Sequence, residues 1–324
     1  MVSKRRDDGL LPLPIIIGPT GVGKTGVAID IAEHLPVEIV SMDSVVLYKG
    51  LDVGSAKPTP QERQRVPHHL VDVTDIMHPW SVGDYWHALT CLLPAIYQRH
   101  HIPLIVGGTM LYYHAVTHGL SELPATDQGV QSRLEREQEQ SGLLWQYRQL
   151  QQIDPDIAAR ISAQDTQRIH RALAVYYQTG VPLSKWHSMN LPKMLSYRFY
   201  TVIIDDEISI IRQRVHTRFR AMLQQGLLEE VEQLYQRFRH LDPVPRPLFS
   251  VGYRQLWDYH AGKLSYEDAI TQIPIATGQL AKRQQTWLRS WPSLLRYSAS
   301  QADLKPRLSN WLSRLVAEWQ VNRE

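Results

Sequence analysis

The octapeptide Gly18-Pro19-Thr20-Gly21-Val22-Gly23-Lys24-Thr25 is a complete G-x-x-x-x-G-K-T loop, set after a short β-branched run and before apolar residues at helical spacing. Its glycines let the backbone curl until successive N–H groups and the helix N-terminus face an anion. Lys24 adds positive charge, and the Thr25 hydroxyl is a hard-oxygen ligand for Mg²⁺. All eight residues are candidate diphosphate-binding residues, with Thr25 the candidate metal ligand. A diphosphate or triphosphate is therefore the expected ligand. The loop leaves open which bond is broken, because kinases, hydrolases and transferases of other groups share such a cradle.

A second candidate is Asp43 in Ser41-Met42-Asp43-Ser44, which directly follows an apolar run. If that run is the second strand of an α/β sheet, Asp43 lies at the carboxyl edge, where such folds keep their ligands, and it can act as a general base. A turn or helix N-cap aspartate has the same sequence appearance. An NTPase should also show an apolar strand ending in an acid that holds Mg²⁺. Pro103–Val106 ends in Gly107-Gly108-Thr109 with no acid, whereas His69–Val71 ends in Asp72, either a metal acid or a strand-end carboxylate.

Short apolar runs at Leu13–Ile17, Val37–Val40, His69–Val73 and Pro103–Val106 read as buried strands, and they alternate with helical patterns at 25–35, 84–99 and 109–117. Alternation of this kind implies a parallel sheet covered on both faces. From about 121 to 190 the chain turns to Gln, Glu and Arg with Leu at helical spacing. Tyr197–Ile204 then resumes the sheet, followed by helical patterns at 208–224, 227–239 and 266–289, the last containing Pro274 as an expected kink. The expected fold is α/β, a P-loop NTPase-like parallel sheet core (1–120 and 197–324) with an inserted helical subdomain (121–196).

With 324 residues, 43% hydrophobic and 21% charged, the chain reads as an ordinary globular protein, and its single Cys91 excludes an internal disulfide and a cysteine-rich zinc site. No apolar stretch approaches the roughly 18 residues of a membrane span. Lys4, Arg5 and Arg6 imitate a signal peptide, but Asp7, Asp8, Pro12 and Pro14 break the pattern, so the expected location is cytoplasmic. Residues 1–190 carry 16 Lys/Arg against 19 Asp/Glu, and residues 191–324 carry 19 against 13. That excess suits either a polyanion or solvated helix faces.

Further blocks accompany the loop: Asp43-Ser44, Tyr48-Lys49-Gly50-Leu51-Asp52-Val53-Gly54-Ser55-Ala56-Lys57-Pro58, Pro67-His68-His69-Leu70, Val106-Gly107-Gly108-Thr109-Met110-Leu111-Tyr112, Gln167-Arg168 with Arg171-Ala172-Leu173, Gly252-Tyr253-Arg254-Gln255, and Ala281-Lys282-Arg283-Gln284 with Thr286-Trp287. Together, from about Pro14 to Arg289 and in order, they resemble the tRNA dimethylallyltransferase (isopentenyl-tRNA transferase) family, bacterial type. The resemblance implies transfer of a dimethylallyl group from dimethylallyl diphosphate to N6 of adenosine 37 in tRNAs reading codons that start with U. Asp43 would be the base, Thr109 would lie near the adenine, and Arg218 would help hold the diphosphate with Mg²⁺. Contacts to the tRNA anticodon stem-loop would come from Asp43, Ser44, Val45, Val46, Tyr48 and Thr109, from Gln167, Arg168 and Arg171, and from Gly252, Tyr253, Arg254, Lys282 and Arg283. Tyr48, Tyr112 or Tyr253 would stack on unpaired bases, while Trp257, Trp287 and Trp291 read as core. Where the family pattern has an Arg soon after Asp127, this sequence has Gly129-Val130-Gln131-Ser132, and no Cys follows Arg289. A nucleoside kinase, an RNA-binding NTPase and an AMP prenyltransferase remain as alternatives. No obligate protein partner is evident.

Overall fold

In the computed structural model, residues 9–291 and 294–321 are described. The tail carrying Lys4, Arg5 and Arg6 lies outside them. Residues 118–194 form one compact unit, and the described residues before and after them form another.

The larger unit is built on six parallel strands, β1 Leu11–Ile17, β2 Val37–Met42, β3 His68–His69, β4 Ile102–Gly107, β5 Tyr197–Asp205 and β6 Leu295–Ser298, in the order β3-β2-β4-β1-β5-β6. Alternate side chains explain the unbroken apolar runs. Ile15, Ile17, Val40, Met42, Ile105 and Ile203 enter the core on one face, while Ile16, Ile39, Leu104, Val106, Val202 and Ile204 enter the core on the other. Pro12 and Pro14 are tolerated in central β1 because β4 pairs only with Ile15–Ile17. The strand expected over His69–Val73 stops at His69, since Leu70 and Asp72 both adopt φ of 57°, outside the β region.

Helices α1 Lys24–Ala32, α2 Pro60–Arg65, α3 Val82–Gln98 and α4 Met110–His118 connect the early strands. The separate unit of residues 118–194 holds α5 Gln128–Ser141, α6 Leu143–Ile153, α7 Pro155–Ala158, α8 Thr166–Thr179 and α9 Leu183–Met189 around Leu134, Leu150, Ile169, Leu173 and Leu183. In the larger unit, α10 Ile208–Gln224, α11 Leu227–Phe238, α12 Tyr253–His260, α13 Tyr266–Leu288 and α14 Leu304–Val321 follow β5, and α13 continues through Pro274. No helix among the described residues is long and apolar enough to cross a membrane.

Candidate active site

The carboxyl ends of β1, β2 and β4 converge on one cleft of about 280 Å³, lined by Thr20, Lys24, Thr25, Asp43, Gly108, Arg218 and Gln284 among others. Packing sets this geometry. A Cβ on Gly107 would lie 2.0 Å from the Met42 carbonyl oxygen, so glycine lets the ends of β2 and β4 close up. Gly23, at φ 93°, turns the loop into α1 in a conformation that L side chains rarely adopt.

Lys24 is half-buried, and its Nζ donates to the Pro19 carbonyl at 2.7 Å. Desolvation pushes its pKa down to about 8, the Asp43 carboxylate acting to raise it and Arg218 to lower it further. Arg218, on α10, presents surface to the cleft, while the surrounding walls desolvate its guanidinium and lower its pKa, an effect that Asp43 opposes. The three residues thus share one local field with an excess of positive charge, as an anion site requires. Thr25 is exposed to the same cleft.

Asp43 does serve as a turn residue: Oδ1 accepts from the Val45 N–H at 2.8 Å and the Val46 N–H at 3.4 Å. Among the described residues none donates to Oδ2, so one carboxylate oxygen holds the loop and the other is available to a ligand. Thr109 Oγ1 accepts from the Ser44 N–H at 3.1 Å, joining the two loop segments beside Asp43. A second cavity of about 320 Å³ is lined by Asp43, Ser44, Val45 and Arg218 together with Phe249, Gly252 and Thr277. Asp43 and Arg218 therefore belong to the walls of both spaces. Arg218 also borders a third cavity of about 630 Å³, lined by Lys49, Lys57, Arg63 and Asp72.

Asp72 lies in the loop beyond β3 as the acid of an ion-pair cluster: it accepts from Lys57 at 2.5 Å and Arg63 at 2.8 Å. Burial works to raise its pKa, but those hydrogen bonds prevail and lower it.

The stacking expectation is corrected for all three tyrosines, because a base needs an open ring face. Tyr48, Tyr112 and Tyr253 are 5%, 4% and 1% exposed. The Tyr48 hydroxyl accepts from the Trp80 N–H at 2.9 Å, Tyr112 stacks on Tyr85 at 4.0 Å between centroids, and the Tyr253 hydroxyl donates to Glu230 at 2.6 Å. Trp257 is core as expected, but Trp287 is 40% exposed. Val46 and Gly252 are buried. Arg254, Lys282 and Arg283 are exposed on the larger unit. In the separate unit of residues 118–194, Gln167 and Arg168 are exposed, whereas Arg171 is half-buried and donates to Thr126 Oγ1 at 2.8 Å. In that unit Arg133 pairs with Glu137 at 2.7 Å.

Two residues were missed. Gln284 on α13 accepts from the Thr20 N–H at 2.8 Å and donates to the Gly108 carbonyl at 2.7 Å. The Glu230 carboxylate accepts from the N–H groups of Asp52, Val53 and Gly54 at 3.2, 2.7 and 3.2 Å, besides the Tyr253 hydroxyl, and so fixes the loop that contributes Ser55 and Ala56 to the cleft wall. Gln284 belongs to Ala281-Lys282-Arg283-Gln284, one of the blocks that carry the family resemblance, a usable signal. Glu230 looks like any polar position of an amphipathic helix.

This arrangement can hold a diphosphate at the loop and remove a proton beside it. A family model described as IPP transferase matches residues 46–291, and one described as isopentenyl transferase matches residues 12–77. A tRNA dimethylallyltransferase of Coxiella burnetii is 42% identical over 298 residues, 92% of this chain and 96% of that protein. The crystal structure of the full-length tRNA isopentenylpyrophosphate transferase of Bacillus halodurans superposes with a TM-score of 0.68 at 30% identity, covering 96% of this chain and 99% of that one. A eukaryotic dimethylallyltransferase acting on tRNA reaches 0.76 at 26% identity, covering 91% and 76%.

Proposed function

This chain belongs to the IPP transferase family, and on that premise we propose that its cleft transfers a dimethylallyl group from dimethylallyl diphosphate to N6 of adenosine 37 in tRNAs reading codons that start with U. The chain is a tRNA-modifying prenyltransferase, and the location that suits this activity is the cytoplasm. The observation that carries the detailed reading is the shared wall. Asp43 and Arg218 line both the phosphate-loop cleft and the adjoining cavity, so a base and an anion clamp face one reaction space.

An exocyclic adenine amine is a weak nucleophile because its lone pair is delocalised into the ring. In the proposed step the N6–C1 bond forms while the C1–O bond breaks, the electron pair leaves with diphosphate, and one N6 proton passes to Asp43. Lys24, the loop N–H groups and Arg218 stabilise the departing anion. Thr109, bonded to Ser44, holds the segment that carries Asp43 against the end of β4. Bringing adenosine 37 to this site requires extruding it from its stack, at about a few kcal/mol. Exposed Arg168, Arg254, Lys282 and Arg283, with Gln167, are the proposed contacts to the anticodon stem-loop.

Mg²⁺ fits the donor set. The Thr25 hydroxyl, exposed in the cleft beside the loop, offers a hard oxygen of the kind Mg²⁺ takes alongside waters and the oxygens of a substrate diphosphate. When bound, Mg²⁺ would neutralise charge on the leaving group. Thr25 would hold it.

The deciding experiment incubates the protein with dimethylallyl diphosphate, Mg²⁺ and an anticodon stem-loop, followed by nucleoside mass spectrometry. N6-isopentenyladenosine and diphosphate should appear in equal amounts. Consumption of ATP without prenylated adenosine, or prenylation of AMP in preference to the stem-loop, would replace this reading.

A further inference from the structure

Burial of Tyr48, Tyr112 and Tyr253 leaves a question, because a base drawn toward Asp43 disrupts the stack of its neighbours and an acceptor site needs an aromatic surface to replace it. Among the described residues lining the three cavities, the aromatic rings are Phe219, Phe249 and the half-buried imidazole of His68, which is tied to the Val66 carbonyl at 2.7 Å. Phe219 is 7% exposed and packs into the core, whereas Phe249 is 46% exposed. Resting on the proposed function, we propose that Phe249 is the stacking platform for a nucleobase flanking the acceptor adenosine.

The turn that carries Phe249 is built to present it. Arg246–Phe249 is a single 3₁₀ turn entered from Pro245, with Pro247 and Leu248 buried beneath it. The Leu248 N–H donates to the Pro245 carbonyl at 3.1 Å, and the Ser250 N–H and hydroxyl donate to the Pro247 carbonyl at 3.2 and 2.8 Å. An apolar ring held on a rigid, anchored turn keeps its exposure as a fixed feature, and a preorganised face binds with little ordering cost. Phe249 shares its cavity with half-buried Asp43 and exposed Ser44. A ring this open suits the flanking base that stays at the surface, while the acceptor itself must reach Asp43. Stacking on it is tolerant of base identity, since every base offers a π-face.

The test is a double-mutant cycle between Phe249 and the RNA. Phe249→Leu keeps an apolar side chain but removes the ring, and Phe249→Trp keeps a ring. The stem-loop carries an abasic residue immediately before or immediately after adenosine 37. On intact RNA, Phe249→Leu should raise the stem-loop KM roughly 5- to 100-fold with an unchanged salt slope, and Phe249→Trp should hold it near wild type. On one of the two abasic RNAs the penalty of Phe249→Leu should vanish. An unchanged KM for dimethylallyl diphosphate in both variants verifies the fold. Equal stem-loop KM for the wild-type and Phe249→Leu proteins, or a penalty that persists on both abasic RNAs, would overturn the stacking assignment. Failure of the wild-type protein to prenylate the intact stem-loop would instead overturn the proposed function.

Discussion

Gln284, near the end of α13, accepts a hydrogen bond from the Thr20 N–H at 2.8 Å across 264 residues of sequence, and its amide nitrogen donates to Gly108 at 2.7 Å. One carboxamide thus ties the phosphate loop to the end of β4, and no carboxylate or hydrocarbon replaces it.

Gln284→Ala should raise the KM for dimethylallyl diphosphate by about 5- to 150-fold, as expected for two lost hydrogen bonds of about 0.5–1.5 kcal/mol each. Gln284→Glu should do no better, because it loses the donor and brings negative charge toward the anion. Initial-rate kinetics with stem-loop in excess measures this, and equal KM values in all three proteins would exclude a role for Gln284 in shaping the loop.

Asp43→Asn should leave binding of both substrates intact and slow the chemical step by roughly 10²- to 10⁴-fold. The structure makes this substitution informative. An Asn Oδ1 can still accept from the Val45 and Val46 N–H groups, so the turn survives while the basic oxygen is lost. Single-turnover rates decide the matter, and a near-normal rate would remove Asp43 from the base role.

Lys24, its pKa pushed down to about 8 by desolvation, should make diphosphate binding pH-dependent. A bound anion favours the ammonium form and raises the pKa. Binding above pH 8 must therefore take up a proton, and affinity should fall as pH climbs further. Titration calorimetry at pH 8.5 in buffers of different ionisation enthalpy should register that uptake. Lys24→Arg, charged throughout, should abolish it.

Tyr253→Phe should cost about 1.5–3 kcal/mol of stability, since the lost hydroxyl donates to the Glu230 carboxylate at 2.6 Å. Stem-loop affinity should change little, the ring being 1% exposed. Urea unfolding and filter binding separate the two quantities. A stable variant with weakened RNA binding would reinstate Tyr253 as a base contact.

Arg168→Ala and Lys282→Ala should each lower the slope of log affinity against log salt by about one. Both side chains are exposed. Arg171→Ala should leave that slope unchanged and destabilise its unit, because the guanidinium is half-buried and donates to Thr126. Identical slopes in all variants would return Arg168 and Lys282 to solvated helix surface.

The phosphate loop was legible in the sequence because its chemistry is local: eight consecutive residues with fixed backbone demands declare themselves wherever they occur. Sheet strands were legible for a related reason, as unbroken runs such as Ile15-Ile16-Ile17 are what a strand covered on both faces requires. The helical pattern of residues 121–190 likewise followed from Leu spacing. The short α2, α12 and β6 and the 18-residue α14 lie outside the elements that the pattern marks, and β3 ends earlier than its apolar run because positive φ at Leu70 and Asp72 leaves no periodic trace. Tertiary structure alone decided which polar residues meet. Glu230 reaches the N–H groups of residues 52–54 from about 177 positions away, and Gln284 reaches Thr20 from farther still. It also decided burial, taking Tyr48, Tyr112 and Tyr253 away from RNA and leaving Phe249 in the open. An aromatic residue has the same apolar face in a core and at a binding surface. Only the packing around it determines whether that face is filled by the protein or offered to a ligand.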